Sequence, residues 1–202
     1  MDNTFNFWLG FLVISCLGTL AHFFYDWSNQ NRVIGLFAAV NESTWEHIKI
    51  TLTPTFLWSL YDGALYGQNP NYFLAKLMSL LVLVLVIPTL FYAYQKLTKK
   101  SIVFVNIAIF YIAIFLSQLT FYTILTLNPI NHISQYFSCL GTFVLFGCYM
   151  TLTLAPLKSF LFKDPINGKY GFRAHINLFK KATQKSPSAS KESPAKTTKK
   201  DR

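Results

Sequence analysis

Residues 72–94 read YFLAKLMSLLVLVLVIPTLFYAY. No ionisable side chain falls between Lys76 and Tyr92, and 80–86 are seven aliphatic residues in a row. A helix of about 20 apolar residues spans the hydrocarbon core of a bilayer. Such a span must be helical, because lipid offers no partner to a free backbone amide or carbonyl. Four further stretches have the same character: residues 7–24, 48–66, 102–125 and 133–157. The period-two alternation of a membrane barrel is absent. The pattern predicts an all-α polytopic membrane helix bundle of about five transmembrane helices. Pro54 and Pro88 fall inside two of them and are expected to kink them. Turn-forming residues 67–71 (GQNPN) and 128–131 (NPIN) separate consecutive spans.

Composition agrees. The 202 residues are 52% hydrophobic and 13% charged, about half the charged share of a soluble domain. Aromatic residues make up 17% of the chain, suiting a protein with rings at the lipid headgroup level. Of the eighteen Lys and Arg, twelve follow Leu157. A basic segment directly after membrane spans is expected to touch anionic lipid headgroups rather than nucleic acid. Basic residues collect on the cytoplasmic side of membrane proteins. With the link 95–101 and the C-terminal segment placed there, seventeen basic residues lie inside and only Lys76 outside, where it would snorkel. The expected topology is a multi-pass cell-membrane protein with its N-terminus outside and its C-terminus cytoplasmic. Cys16, Cys139 and Cys148 lie in apolar stretches without metal-ligand spacing and are read as buried hydrophobes.

The chain divides into a bundle (1–160), a juxtamembrane cytoplasmic segment (161–181) with turn signals at Asp164-Pro165 and Asn167-Gly168, and a basic tail (182–202) whose Lys, Ser, Thr, Pro and Ala content predicts disorder.

Polar residues concentrate in two places. His22 and Asp26 are four apart at the end of the first span, on one helix face. Asn41, Glu42, Ser43, Glu46 and His47 open the second. Residues 33–40 between them are apolar enough to enter the membrane interface. Ionisable groups at a membrane edge are costly unless they are paired or at work. His22, Asp26 and His47 are candidate ligands for a divalent metal such as zinc, with Glu42 and Glu46 as candidate catalytic carboxylates. Ser43-x-x-Glu46 also reads as a capping box, making Asn41 and Ser43 structural caps. Asp62 reads as a solvated carboxylate near a helix end, and His175 as a solvated tail residue.

His22-x-x-Tyr25-Asp26-Trp27-Ser28, then Val33-Ile34-Gly35-Leu36-Phe37, then Asn41-Glu42-Ser43-Thr44-Trp45-Glu46-His47-Ile48-Lys49 resembles an uncharacterised family of small bacterial integral membrane proteins. Asp164-Pro165-x-x-Gly168-Lys169-Tyr170-Gly171 is similar to that family's closing motif. The likeness covers most of residues 7–173. It implies a multi-helix membrane fold, treats the polar stretches as one feature, and implies no activity. Three readings follow: a metal-dependent membrane-embedded hydrolase of a lipid or lipid-linked substrate, a small transporter, or a non-catalytic protein whose cluster locks two helices.

Overall fold

The computed structural model describes residues 3–175. Among them the structure is helical, with no strand and one isolated β-bridge, Lys163 to Tyr170. Five long helices form a bundle: α1 (Asn3–Ala21), α4 (Thr44–Tyr66), α5 (Tyr72–Thr98), α6 (Val103–Leu125) and α7 (His132–Leu154). Two one-turn helices, α2 (Phe24–Trp27) and α3 (Arg32–Gly35), connect α1 to α4, and a 3-10 turn (Gly171–Ala174) closes the described chain. The predicted disordered tail, 182–202, and residues 176–181 of the juxtamembrane segment lie outside the described residues.

Four helices, α1, α5, α6 and α7, are long and apolar enough to cross a membrane. Their outward faces carry large apolar side chains, among them Leu85, Phe104, Phe137 and Phe143. A soluble monomer rarely exposes so continuous an apolar surface. The fifth expected span, α4, has the length, but it carries Lys49, Asp62 and a run of Thr and Ser. Its position explains that composition. More than half of α4 is buried, so its polar side chains meet protein rather than lipid. Trp45, Ile48, Leu52 and Trp58 from α4 pack with Ile14 of α1, Leu80, Leu83 and Ile87 of α5, and Ile109 and Ile114 of α6. α4 also starts at Thr44, four residues before the apolar stretch begins.

Both internal prolines lie in unbroken helices. Pro54 cannot donate to the carbonyl of Ile50. That carbonyl lies against Gly18 of α1, where a Cβ would come within 2.7 Å of the oxygen. A glycine therefore sits where α1 passes close to the backbone of α4.

The other end of α4 corrects two expectations. Asp62 is buried, not solvated, and Lys76 does not snorkel. The two form an ion pair across α4 and α5, the Tyr72 hydroxyl donates to the same carboxylate at 2.8 Å, and the ammonium lies 4.4 Å from the Phe121 ring centroid. The cysteines also differ from expectation: Cys16 and Cys148 are exposed on the outer surface and Cys139 is partly so.

Candidate functional site

The site is built at the end of the bundle where α1 finishes and α4 begins. After α1 the chain turns through α2. Asn29 and Gln30 then adopt positive φ (54° and 62°), reversing its direction, and Asn31 caps α3 by accepting from the Val33 amide at 2.8 Å. Residues 36–40 then run back across the end of α1 without regular structure. Irregular backbone beside a membrane core survives only when protein groups satisfy it, and here they do. Lys49 Nζ donates to the Gly35 carbonyl (2.9 Å), Tyr149 Oη to Leu36 (3.0 Å) and Thr53 Oγ1 to Phe37 (2.8 Å). The Ala39 amide donates to the Ala21 carbonyl (3.1 Å) and the Val40 amide to Glu46 Oε2 (2.9 Å).

The motif Asn41–His47 thus divides into two interleaved sets of residues. Glu46 and Lys49 are both buried and paired at 2.6 Å. With the Val40 amide on the carboxylate and Gly35 on the ammonium, Glu46 is fully engaged in holding the loop to α4. The capping box does not form: Ser43 occupies the N-cap position, but its side chain makes no capping bond. Asn41 takes the local role, accepting from the Ser43 amide at 2.8 Å.

The C-terminal segment completes this structure. Asp164 Oδ1 accepts from the amides of Ile166 (2.7 Å) and Asn167 (3.0 Å), and its Oδ2 accepts from the Glu42 amide (3.1 Å). Gly171, at φ 56° where a side chain would be strained, offers its carbonyl to Asn41 Nδ2 at 3.0 Å. The Trp45 amide donates to Leu161 O at 2.9 Å, and its ring packs on Phe162. His175 is not a solvated tail residue: its Nδ1 donates to the Val40 carbonyl at 2.9 Å, and its Nε2 lies 2.9 Å from Asp26 Oδ1. The two stretches of sequence that stood out separately are one docked unit. Beside it, burial raises the Tyr25 phenol above its ordinary pKa, opposed by Arg32 and aided by Asp26.

What remains uncommitted is a trio. His22 Nε2 lies 3.7 Å from one oxygen of Glu42, and His47 Nε2 lies 3.9 Å from the other. The three side chains retain 28–29% exposure, against 4% for Glu46 and 8% for Asp26. His47 Nδ1 is 3.0 Å from the Ser43 carbonyl. A carbonyl only accepts, so Nδ1 carries the proton, and in the neutral ring Nε2 is a free base. His22 Nδ1 is buried without a hydrogen-bond partner.

The expected metal ligands are therefore separated. Asp26 is turned to His175, and the two imidazoles approach different oxygens of Glu42 with ring centroids 6.0 Å apart. Among the described residues no three His, Cys, Asp or Glu side chains are arranged to hold a metal ion. The geometry gives no support to zinc held by His22, Asp26 and His47.

Two clefts meet the trio. One, with about 20 Å³ of free space, is lined by His22, Glu42, Asp26, Asn41, Asp164 and His175. The other, also of about 20 Å³, lies among α4, α5 and α6 and includes His47, so each has room for roughly one water molecule.

An apolar helical bundle with a buried polar hub and an imidazole–carboxylate cluster at one end is an integral membrane protein. The chain belongs to a family of unknown function, DUF6512, whose model matches residues 3–172. That match includes the polar motif and the hairpin that docks on it. No curated protein and no solved structure matches the chain.

Proposed function

We propose that this protein is a membrane-embedded hydrolase of a lipid or lipid-linked substrate, with general acid–base chemistry carried by His22, Glu42 and His47. The observation behind this reading is selective freedom. Glu42 and its two imidazoles keep 28–29% of their side-chain surface exposed and make no close hydrogen bond with one another, whereas Glu46 and Asp26 are 4% and 8% exposed and Asp164 accepts from three backbone amides. His47 Nε2, its tautomer set by Ser43, takes a proton from water. The water oxygen bonds to the acyl or phosphoryl centre. The bond to the leaving oxygen breaks, and that oxygen takes a proton from the His22 imidazolium. Glu42, between the rings, returns the proton from His47 to His22, restoring the starting state. Positioned acid–base groups of this kind contribute about 10²–10⁴-fold to rate.

The site is assigned to the cytoplasmic face of a cell membrane, with the N-terminus outside, because seventeen of the eighteen basic residues then lie inside. The basic residues after Leu157 would meet anionic headgroups there. The non-catalytic alternative accounts for Asn41 and Glu46, which lock the loop, but leaves Glu42 and His47 without a task.

The test is incubation of purified protein in mixed micelles with a total lipid extract, following consumption by mass spectrometry. Glu42→Gln and His47→Ala are expected to lower turnover by about 100-fold or more. Turnover within threefold of wild type in both variants, or no lipid consumed by the wild type, would overturn the proposal.

A further inference from the structure

His22 and Glu42 border a cleft with room for about one water molecule, so no lipid group enters it as it stands. Part of its wall is fixed: His22 directly follows α1, and residues 39–42 belong to the loop that is tied to α1 and α4. The rest of the wall, Asp164, Ile166 and His175, comes from the C-terminal hairpin. That hairpin is anchored where it begins. Leu161 accepts from the Trp45 amide, and Phe162 packs on the Trp45 ring and is buried in the core. Beyond Phe162, hydrogen bonds tie it to residues between α1 and α4. Asp164 accepts from the Glu42 amide, the Gly171 carbonyl accepts from Asn41, and His175 reaches Val40 and Asp26. The hairpin can thus pivot at Phe162 and uncover His22 and Glu42 while the helices keep their packing.

The outer face of this segment has a different character. Lys158, Lys163, Lys169 and Arg173 are exposed and make no ion pair among the described residues. Asp164, the one carboxylate in residues 158–175, is buried and turned inward. Leu157, Phe160 and Ile166 stand exposed in the same stretch. Eight further Lys and Arg, against two carboxylates, follow in residues 176–202. Unpaired cations beside exposed apolar side chains, at the edge of a membrane bundle, are complementary to an anionic lipid surface. We infer that residues 163–175 are a lid over His22 and Glu42, and that an anionic lipid surface draws this lid off them. Lifted, the hairpin gives up its hydrogen bonds to Val40, Asn41, Glu42 and Asp26. In exchange its cations meet headgroups, and Ile166 and the half-buried Phe172 enter the interface. The inference rests on the hydrolase reading for what the lid serves, and on the contacts of the hairpin for its movement.

The test measures access to His22 and needs no activity. The protein is placed in nanodiscs of phosphatidylcholine alone or of phosphatidylcholine mixed with phosphatidylserine, and treated with diethyl pyrocarbonate. Carbethoxylation of each histidine is followed by mass spectrometry of its peptides. His132, exposed at the opposite end of the bundle, is the reference. Relative to His132, modification of His22 is expected to be at least about fivefold faster in the anionic discs. Lys163→Gln/Lys169→Gln/Arg173→Gln should lose most of that increase while melting as wild type does. Asp164→Ala, which frees the hairpin from the Glu42 amide, should show the fast rate in neutral discs. A His22 rate unchanged by anionic lipid, or raised equally in the variant without the three cations, overturns the inference. So does an Asp164→Ala rate in neutral discs equal to that of wild type. Lipid turnover lost in Glu42→Gln with no such response at His22 would overturn the lid and leave the hydrolase standing. The full His22 response with no lipid consumed by wild type would do the reverse.

Discussion

Replacing Lys49 by Met separates the locking residues from the working ones. Lys49 is fully buried and is held 2.6 Å from Glu46 and 2.9 Å from the Gly35 carbonyl. Methionine fills much of the same volume, so the packing term is small and the electrostatic term dominates. Removing one partner of a buried pair leaves the other charge uncompensated, at about 3–5 kcal/mol. For a chain of this length each kcal/mol moves the melting temperature by about 2–4 °C, so the expected drop is about 6–20 °C. The double variant Glu46→Gln/Lys49→Met removes both charges, and the Gln carbonyl still accepts from the Val40 amide. Only the donor to Gly35 is then missing, and the remaining cost falls to about 1–3 kcal/mol. Melting followed by circular dichroism in one detergent, with all three proteins side by side, measures this. A single variant that melts within 2 °C of wild type, or a double variant less stable than the single, would refute the reasoning.

Ser43→Ala is expected to cost less than the roughly 1 kcal/mol of a lost helix cap, since the hydroxyl makes no capping bond. Asn41→Ala, which loses bonds to both Ser43 and Gly171, should cost about 1–3 kcal/mol. Denaturant or thermal titration of the pair distinguishes this from a capping box, for which Ser43→Ala would be the worse variant. Asp164→Ala removes the acceptor of three backbone amides. It should release the C-terminal hairpin from the Glu42 loop, seen as rapid proteolytic cleavage near Lys163 and Lys169 while the helices remain intact.

The long helices were legible because apolar runs of spanning length have few alternative fates. Residues 72–94 are read as a span directly, and the observed helix differs by one added turn, ending at Thr98. α4 was harder to read. Its first turn is polar and the stretch from Ile48 looks like an ordinary span, yet the helix is the hub of the core and its Thr, Lys and Asp side chains face protein. One signal was available: Glu46 and Lys49 are three apart, a spacing that places opposite charges together on a helix. Taking Glu46 as a catalytic carboxylate passed over that pair. The Asp62–Lys76 pair and the contacts of His175 with Asp26 and Val40 left no such trace. They join different helices or opposite ends of the chain, and local spacing carries no information about contacts at that separation. The clustering of His22, Glu42 and His47 was foreseeable from the end of one span and the start of the next. The division of labour within the cluster was not, since it depends on which groups the loop 36–40 and the hairpin engage.

The most direct test compares Glu42→Gln with Glu46→Gln in the same preparation, measuring melting temperature and lipid consumption for each. Glu42→Gln should melt with wild type and lose turnover, whereas Glu46→Gln should melt well below it. Turnover that survives in Glu42→Gln, or a loss of stability there equal to that of Glu46→Gln, would contradict the assignment of Glu42 to chemistry and Glu46 to the lock.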